Sequence, residues 1–206
     1  MACDQLQAEV TRALGSDLMR ASVEHNELIV TVPRTRVADV LLKLRDDPAI
    51  GMNQLMDICG ADYPDRPERF EIVYNLLSLR NNARVRVKVE AGEASPVPSV
   101  TGVYSAAGWF ERECWDLFGI PFSGNPDLRR ILTDYGFEGH PLRKDFPLTG
   151  YVEVRYDDEL KRVVYEPVKL TQDFRSFDFM SPWEGITDIM LPGDEKAVPP
   201  KTEAKP

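Results

Sequence analysis

The sequence predicts an α+β fold: an open mixed or antiparallel sheet with helices on one face, followed by an extended C-terminal segment that carries a β-hairpin. Three observations predict it. Residues 70–79 are apolar on both pleat faces, as a central strand is, and after Arg80-Asn81-Asn82-Ala83 the chain returns through 84–90, where Arg84, Arg86 and Lys88 alternate with Val85, Val87 and Val89. The intervening residues tolerate turn geometry, so the two runs form an antiparallel hairpin, and the three cations read as a solvated face. Apolar residues recur at helical spacing near both ends of the first 118 residues, and the element order α-β-α-β-β-β-α is that of a sheet covered on one side.

In chain order, Leu6, Val10 and Leu14 define a short amphipathic helix over 3–14 that stops at Gly15. Leu28 to Val32 is strand-like by its β-branched content and ends at Pro33. Thr35 can cap the next helix, whose Val37, Val40, Leu41 and Leu44 share a face before Asp46-Asp47-Pro48 ends it. Residues 53–59 read as a weaker strand. Pro96, Pro98 and Gly102 mark a loop, and Ser105 is a candidate N-cap for the helix that follows. On that helix Ala106, Ala107, Phe110, Cys114, Leu117 and Phe118 form one apolar stripe, with Glu111 and Glu113 at its edges. Trp109 and Trp115 lie off the stripe, either simply touching solvent or offered to another surface. Gly119 and Pro121 stop the helix.

Residues 119–150 are too rich in Pro and Gly to continue as helix, yet they mix apolar residues with paired charges in a way a free linker does not need. Val152, Val154 and Tyr156 then alternate with Glu153 and Arg155, and 162–168 supplies a return strand after Asp157-Asp158-Glu159. Phe174, Phe177, Phe179 and Trp183 follow with no period that would bury them at home; they either meet a partner surface or fold back on the sheet. Residues 192–206 hold four prolines and almost no large apolar side chains, so they are expected to be disordered unless a neighbour holds them. The expected division is an α+β domain over 1–118, a docking segment over 119–191 and a tail over 192–206.

Composition narrows the function. With 25 Lys and Arg against 34 Asp and Glu in 206 residues, the net charge of −9 has the wrong sign for a phosphate-backbone binder. No apolar run approaches the roughly 18 residues of a membrane span, and the N-terminus shows neither a signal-peptide core nor an Arg-rich transit segment, which suggests a cytosolic chain. Cys3, Cys59 and Cys114 are too dispersed for a zinc site or iron–sulfur cluster and read as mostly buried thiols. No Gly-x-Gly-x-x-Gly or Walker-type loop offers a phosphate cradle. His25 and His140 lack ligand spacing. A Cys114–His140 nucleophilic pair would need an activated thiol, and Cys114 lies on the apolar stripe. Glu111 and Glu113, two apart on a helix, point in different directions, which suits neutralising Arg129, Arg130 or Arg143 better than acid–base work.

The stretch from Gly108 to Gly150 is the most distinctive. Glu111, Arg112, Glu113, Asp116, Leu117, Phe118 and Arg129 resemble the signature of the C-subunit family of respiratory NADH:quinone oxidoreductase, or complex I: Glu-Arg-Glu, an acid, two apolar residues and a distal Arg. Asn125 stands where that family usually has His or Lys. The segment Asp57-Ile58-Cys59-Gly60-Ala61-Asp62-Tyr63-Pro64 is similar to the family's strand-to-loop segment as well. The resemblance implies a redox-inactive, peripheral-arm component that braces the quinone-site subunit and its neighbours. Flavin and iron–sulfur centres would lie in partner subunits, none in this chain, with no catalytic residue of its own. The unprocessed-looking N-terminus and short length favour a bacterial complex, on the cytoplasmic side of the inner membrane, over a mitochondrial precursor. The residues expected at docking surfaces are Glu111, Arg112, Glu113, Trp115, Asp116, Arg129, Arg130, Asp134, Arg143 and Lys144, with Phe174, Phe177, Phe179 and Trp183. A homologous subunit of a membrane-bound hydrogenase or related quinone reductase is the nearest alternative, and a free-standing small enzyme using the charges between 129 and 145 a more distant one.

Overall fold

The computed structural model describes residues 3–172. Helix α1 (Cys3–Leu14) buries Leu6, Val10 and Leu14 and stops at Gly15, whose φ of +53° only glycine adopts without strain. Strands β1 (Arg20–Glu24) and β2 (Glu27–Thr31) form a tight antiparallel hairpin around His25 and Asn26, both at positive φ. Two consecutive left-handed residues match the twist of the flanking strands. Helix α2 (Val37–Asp46) buries the expected Val37, Val40, Leu41 and Leu44. Thr35 does not cap it: a 3-10 turn over Arg34–Arg36 leads directly into the helix, and Arg36 at the cap position makes no side-chain cap.

Strand β3 (Gln54–Asp62) runs longer than expected, and β4 (Phe70–Ser78) pairs antiparallel with both β3 and β5 (Ala83–Ala91). The five-stranded sheet has the order β1-β2-β5-β4-β3; β2–β5 is its parallel contact and the other pairs are antiparallel. Val85, Val87 and Val89 join Phe70, Ile72, Tyr74 and Leu76 in the core beneath the helices. The opposite face is less solvated than expected. Arg86 bonds to Glu27 and Asn75, Asn75 to Asp57, and Lys88 to Glu71, which is itself buried, so polar rows cross the sheet.

Strand β6 (Val97–Pro98) pairs in parallel with β7 (Phe122–Ser123), and between them lies helix α3 (Ala107–Phe118). Ser105 is not its cap. The chain enters through a turn in which Ala107 N–H already bonds Tyr104, and Ala106 takes the cap position. Helix α3 lies against β3 at Gly60, where an added Cβ would sit 2.8 Å from the Phe118 ring and 3.1 Å from Ile120. Glycine there sets the closeness of helix and sheet. Strands β8 (Val152–Asp157) and β9 (Arg162–Pro167) form the expected second hairpin. Of the cysteines, Cys114 is buried, Cys3 half-buried and Cys59 exposed, so burial of the thiols holds only in part. Phe174, Phe177, Phe179, Trp183 and the 192–206 tail lie outside the described residues.

Candidate functional site

Helix α3 departs from a simple apolar stripe. Ala107 and Cys114 are buried as expected, but so are Glu111, Arg112 and Asp116, while Ala106 is exposed. These charges are buried because the chain returns over them.

Asp116 is the centre of that return. One carboxylate oxygen accepts three successive backbone N–H groups, from Ile131 (3.0 Å), Leu132 (2.7 Å) and Thr133 (2.9 Å). The other accepts the Thr133 hydroxyl and Arg130 Nη1 at 2.8 Å. Burial alone would push this carboxyl up; the Thr133 hydroxyl and the three N–H donors outweigh it and hold Asp116 well below the usual carboxylate range. Arg130 in turn packs over Trp115 and Phe137, 5.5 and 5.6 Å from the ring centres, and donates to Gly139 O. Asp116–Arg130 is thus a buried carboxylate–arginine pair joining helix and loop. Arg112 completes the clasp by donating to the carbonyls of Arg129 (3.1 Å) and Arg130 (2.9 Å).

The loop also satisfies the end of the helix. The last four carbonyls of a helix have no intrahelical partner. Here Trp115 O takes Gly119 N–H, Asp116 O takes His140 Nδ1, Leu117 O takes Leu142 N–H and Phe118 O takes Arg143 Nε at 2.6 Å. The carbonyl partner requires the proton on His140 Nδ1. Gly119, at φ +75°, is required twice over: a Cβ there would lie 2.5 Å from Arg143 and 2.6 Å from His140. Cys114 Sγ meanwhile bonds Ile58 O, so Cys114 and His140 form no pair.

Glu111 does not meet an arginine. Its carboxylate accepts Val100 N–H, the Ser99 hydroxyl and Asn125 Nδ2, each at 2.7 Å, and so ties the loop before α3 to the loop after β7. Asn125 Oδ1 accepts Asp127 N–H, which turns its amide N–H toward Glu111. Burial raises the Glu111 carboxyl, against the lowering effect of these three donors. Because every neighbour donates, Glu111→Gln must set its own NH2 against a donor. We expect this variant to lose about 1–3 kcal/mol of stability in denaturant unfolding. A gain in stability would show instead that the uncompensated charge dominates.

The remaining candidates divide. Asp134 accepts Tyr165 Oη at 2.6 Å and so joins the clasped loop to β9. Arg143 lies 5.1 Å above the Phe70 ring, and Lys144 contributes its backbone N–H to Asp62 at 2.7 Å. The Arg129 side chain pairs with exposed Asp127, and the Glu113 side chain makes no hydrogen bond or ion pair among the described residues. Sequence reasoning missed a second anchor. Asp62, buried at the end of β3, takes Arg69 in a two-pronged bond (2.6 and 2.9 Å), and Arg69 also reaches Glu93 and Asp145. Asp62 lies in the strand-to-loop segment already noted; Arg69 carries no local signal.

Among the described residues, no cluster of three or more His, Cys, Asp and Glu could hold a metal ion, and no helix is long and apolar enough to cross a membrane. The buried charges instead hold one loop in one shape against one helix. That stretch is also covered by a family model, the 30 Kd subunit of respiratory-chain NADH dehydrogenase, which matches residues 30–152. The chain belongs to this family.

As a member of the 30 Kd subunit family it is one component of an oxidoreductase complex, and its partners are the other subunits of that complex. Among its relatives, the C-subunit of NADH-quinone oxidoreductase from Paramagnetospirillum magneticum is 64% identical over 189 residues, covering 91% of this chain and 94% of that one. The C-subunit from a Methylobacterium species is 61% identical over 198 residues, covering 96% and 92%. Among solved structures, a chain of the membrane-bound sulfane sulfur reductase, an archaeal respiratory membrane complex, matches with a TM-score of 0.60 at 25% identity, over 70% of this chain and 85% of its own.

Proposed function

We propose that this chain is a redox-inactive structural subunit of a proton-translocating NADH:quinone oxidoreductase. It braces the quinone-site subunit and its neighbours in the peripheral arm, on the cytoplasmic side of the bacterial inner membrane. The reading is supported above all by how the family signature is used. Glu111, Arg112 and Asp116, the buried charges of that signature, are occupied by the loop from Asn125 to Thr133 and so are not free to act on a substrate. In this role residues 119–191 are the docking segment, and electrons pass through flavin and iron–sulfur centres in partner subunits.

Purification of the tagged full-length chain in mild detergent tests this. The expected result is co-purification with flavin- and iron–sulfur-bearing subunits and NADH-to-quinone turnover, all lost when the chain is absent. The isolated chain should show no visible flavin or iron–sulfur absorption. Recovery of the chain alone with turnover on a small substrate would overturn the proposal. The structural likeness to the sulfane sulfur reductase favours a second reading, in which the assembly is a related membrane-bound reductase. A co-purified complex that does not oxidise NADH would select it.

A further inference from the structure

Strand β4 turns one side chain into the core that is polar at its tip. Tyr74 is among the largest fully buried side chains, and its register partners Ile58 on β3 and Val87 on β5 flank it on the same face. Its hydroxyl has no hydrogen-bond partner among the described residues, and no other buried side-chain N or O among them is left so. The other core tyrosine shows the ordinary arrangement: Tyr104 Oη donates to Met52 O at 2.6 Å. A hydroxyl taken out of water without a partner is costly, so native interiors seldom keep one.

Helix α3 lies over this point. Cys114 Sγ donates to Ile58 O at 3.3 Å, which sets that face of the helix above the strand position beside Tyr74. Glu111, three residues earlier and so on the same face, is also wholly buried. Burial first, then the nearness of Glu111 and Cys114, pushes the Tyr74 hydroxyl well above the usual tyrosine value. The Glu111 carboxylate is already fixed elsewhere. Its Oε2 takes the Ser99 hydroxyl and Asn125 Nδ2, and its Oε1 takes Val100 N–H. With a single donor on it, Oε1 keeps a free lone pair.

We propose that Tyr74, Glu111 and Cys114 form a binding site for one internal water. The water accepts the Tyr74 O–H, donates one hydrogen to Glu111 Oε1 and turns the other to Cys114 Sγ, whose own proton is given to Ile58 O. Three such bonds are the usual complement of a buried water. Water fits because Tyr74 offers a proton while an ionised Glu111 only accepts one, so the ligand must do both. Bound there, it joins β4 to the carboxylate that ties Val100 to Asn125. It also adds a fourth donor to a buried charge that has no ion-pair partner among the described residues.

The test uses the full-length chain. Magnetic relaxation dispersion of the water oxygen counts long-lived internal waters. Tyr74→Phe, which keeps the ring and removes only Oη, should hold one fewer than wild type and should unfold at a lower temperature, because Glu111 loses a donor. A dry, unpaired hydroxyl predicts the opposite, since its removal would raise the midpoint. A raised or unchanged midpoint, or an unchanged water count, overturns the inference. The wild-type chain with isotope-labelled tyrosine supplies a measurement that needs no variant. The Tyr74 ring should show a nuclear Overhauser effect to a slowly exchanging water. Its absence, or a Tyr74 hydroxyl bonded directly to a protein atom, overturns the site. Neither measurement depends on the complex in which the chain works, so the function proposed above stands or falls separately.

Discussion

Replacing Asp116 by alanine lowers the thermal midpoint of the chain by about 6–20 °C and abolishes its incorporation into the complex. The substitution removes the acceptor of three backbone N–H groups and a hydroxyl, and leaves the Arg130 guanidinium partly buried over Trp115 and Phe137 without its carboxylate. Breaking a buried charge pair from one side costs roughly 3–5 kcal/mol, and in a chain of this size each kcal/mol moves the midpoint about 2–4 °C. Asp116→Asn separates charge from shape. The folded carboxyl is held below its ordinary value, so its contribution is fully present above about pH 4 and is lost as pH falls through the folded value. The gap in stability between wild type and Asp116→Asn is therefore widest near neutrality and narrows in acid. A gap that does not depend on pH would mean the carboxylate charge contributes nothing.

Arg69→Ala should cost a similar amount, about 3–5 kcal/mol by denaturant titration. It strips the buried Asp62 of its two-pronged partner and leaves Glu93 and Asp145 without the cation that joins them. Among the described residues, the Lys144 N–H is then the one hydrogen bond left on the Asp62 carboxylate. Lysine should not rescue it, because a single ammonium cannot reproduce the planar fork that spans both Asp62 oxygens. Full stability in Arg69→Lys would show that net charge suffices at this anchor.

Much of the fold was legible because burial leaves a period. The helical spacing of Leu6, Val10 and Leu14, the alternation of Val85, Val87 and Val89 with cations, and the stop at Gly119 are local signals, and each element stands where they put it. Strand β1 left no such trace: Arg20 to Glu24 has no strict alternation, and its turn relies on His25 and Asn26 at positive φ rather than on glycine. The caps assigned to Thr35 and Ser105 failed because short turns deliver the chain into both helices without a side-chain oxygen.

The site was legible by composition and not by partnership. The signature lies on the helix that the loop clasps, and a carboxylate–arginine pair joins the two, but as Asp116–Arg130 and not through Glu111 or Glu113. Helical spacing treats a carboxylate as a surface group. What buries Asp116 is a row of backbone N–H groups from a segment well downstream, and backbone donors have no residue type to read.

The parallel contact between β2 and β5 has a consequence for synthesis. It pairs Leu28 with Val85, so the N-terminal hairpin, complete early on the ribosome, has no seat until the Ala83–Ala91 segment has emerged. Pairing across such a separation is slow, since the long intervening loop must close before any contact rewards it. The Phe70–Ala91 hairpin, by contrast, forms from neighbours and ends at the middle of the sheet. The nascent chain therefore carries an unpaired β2 edge until β5 emerges, an interval in which a chaperone has something to hold.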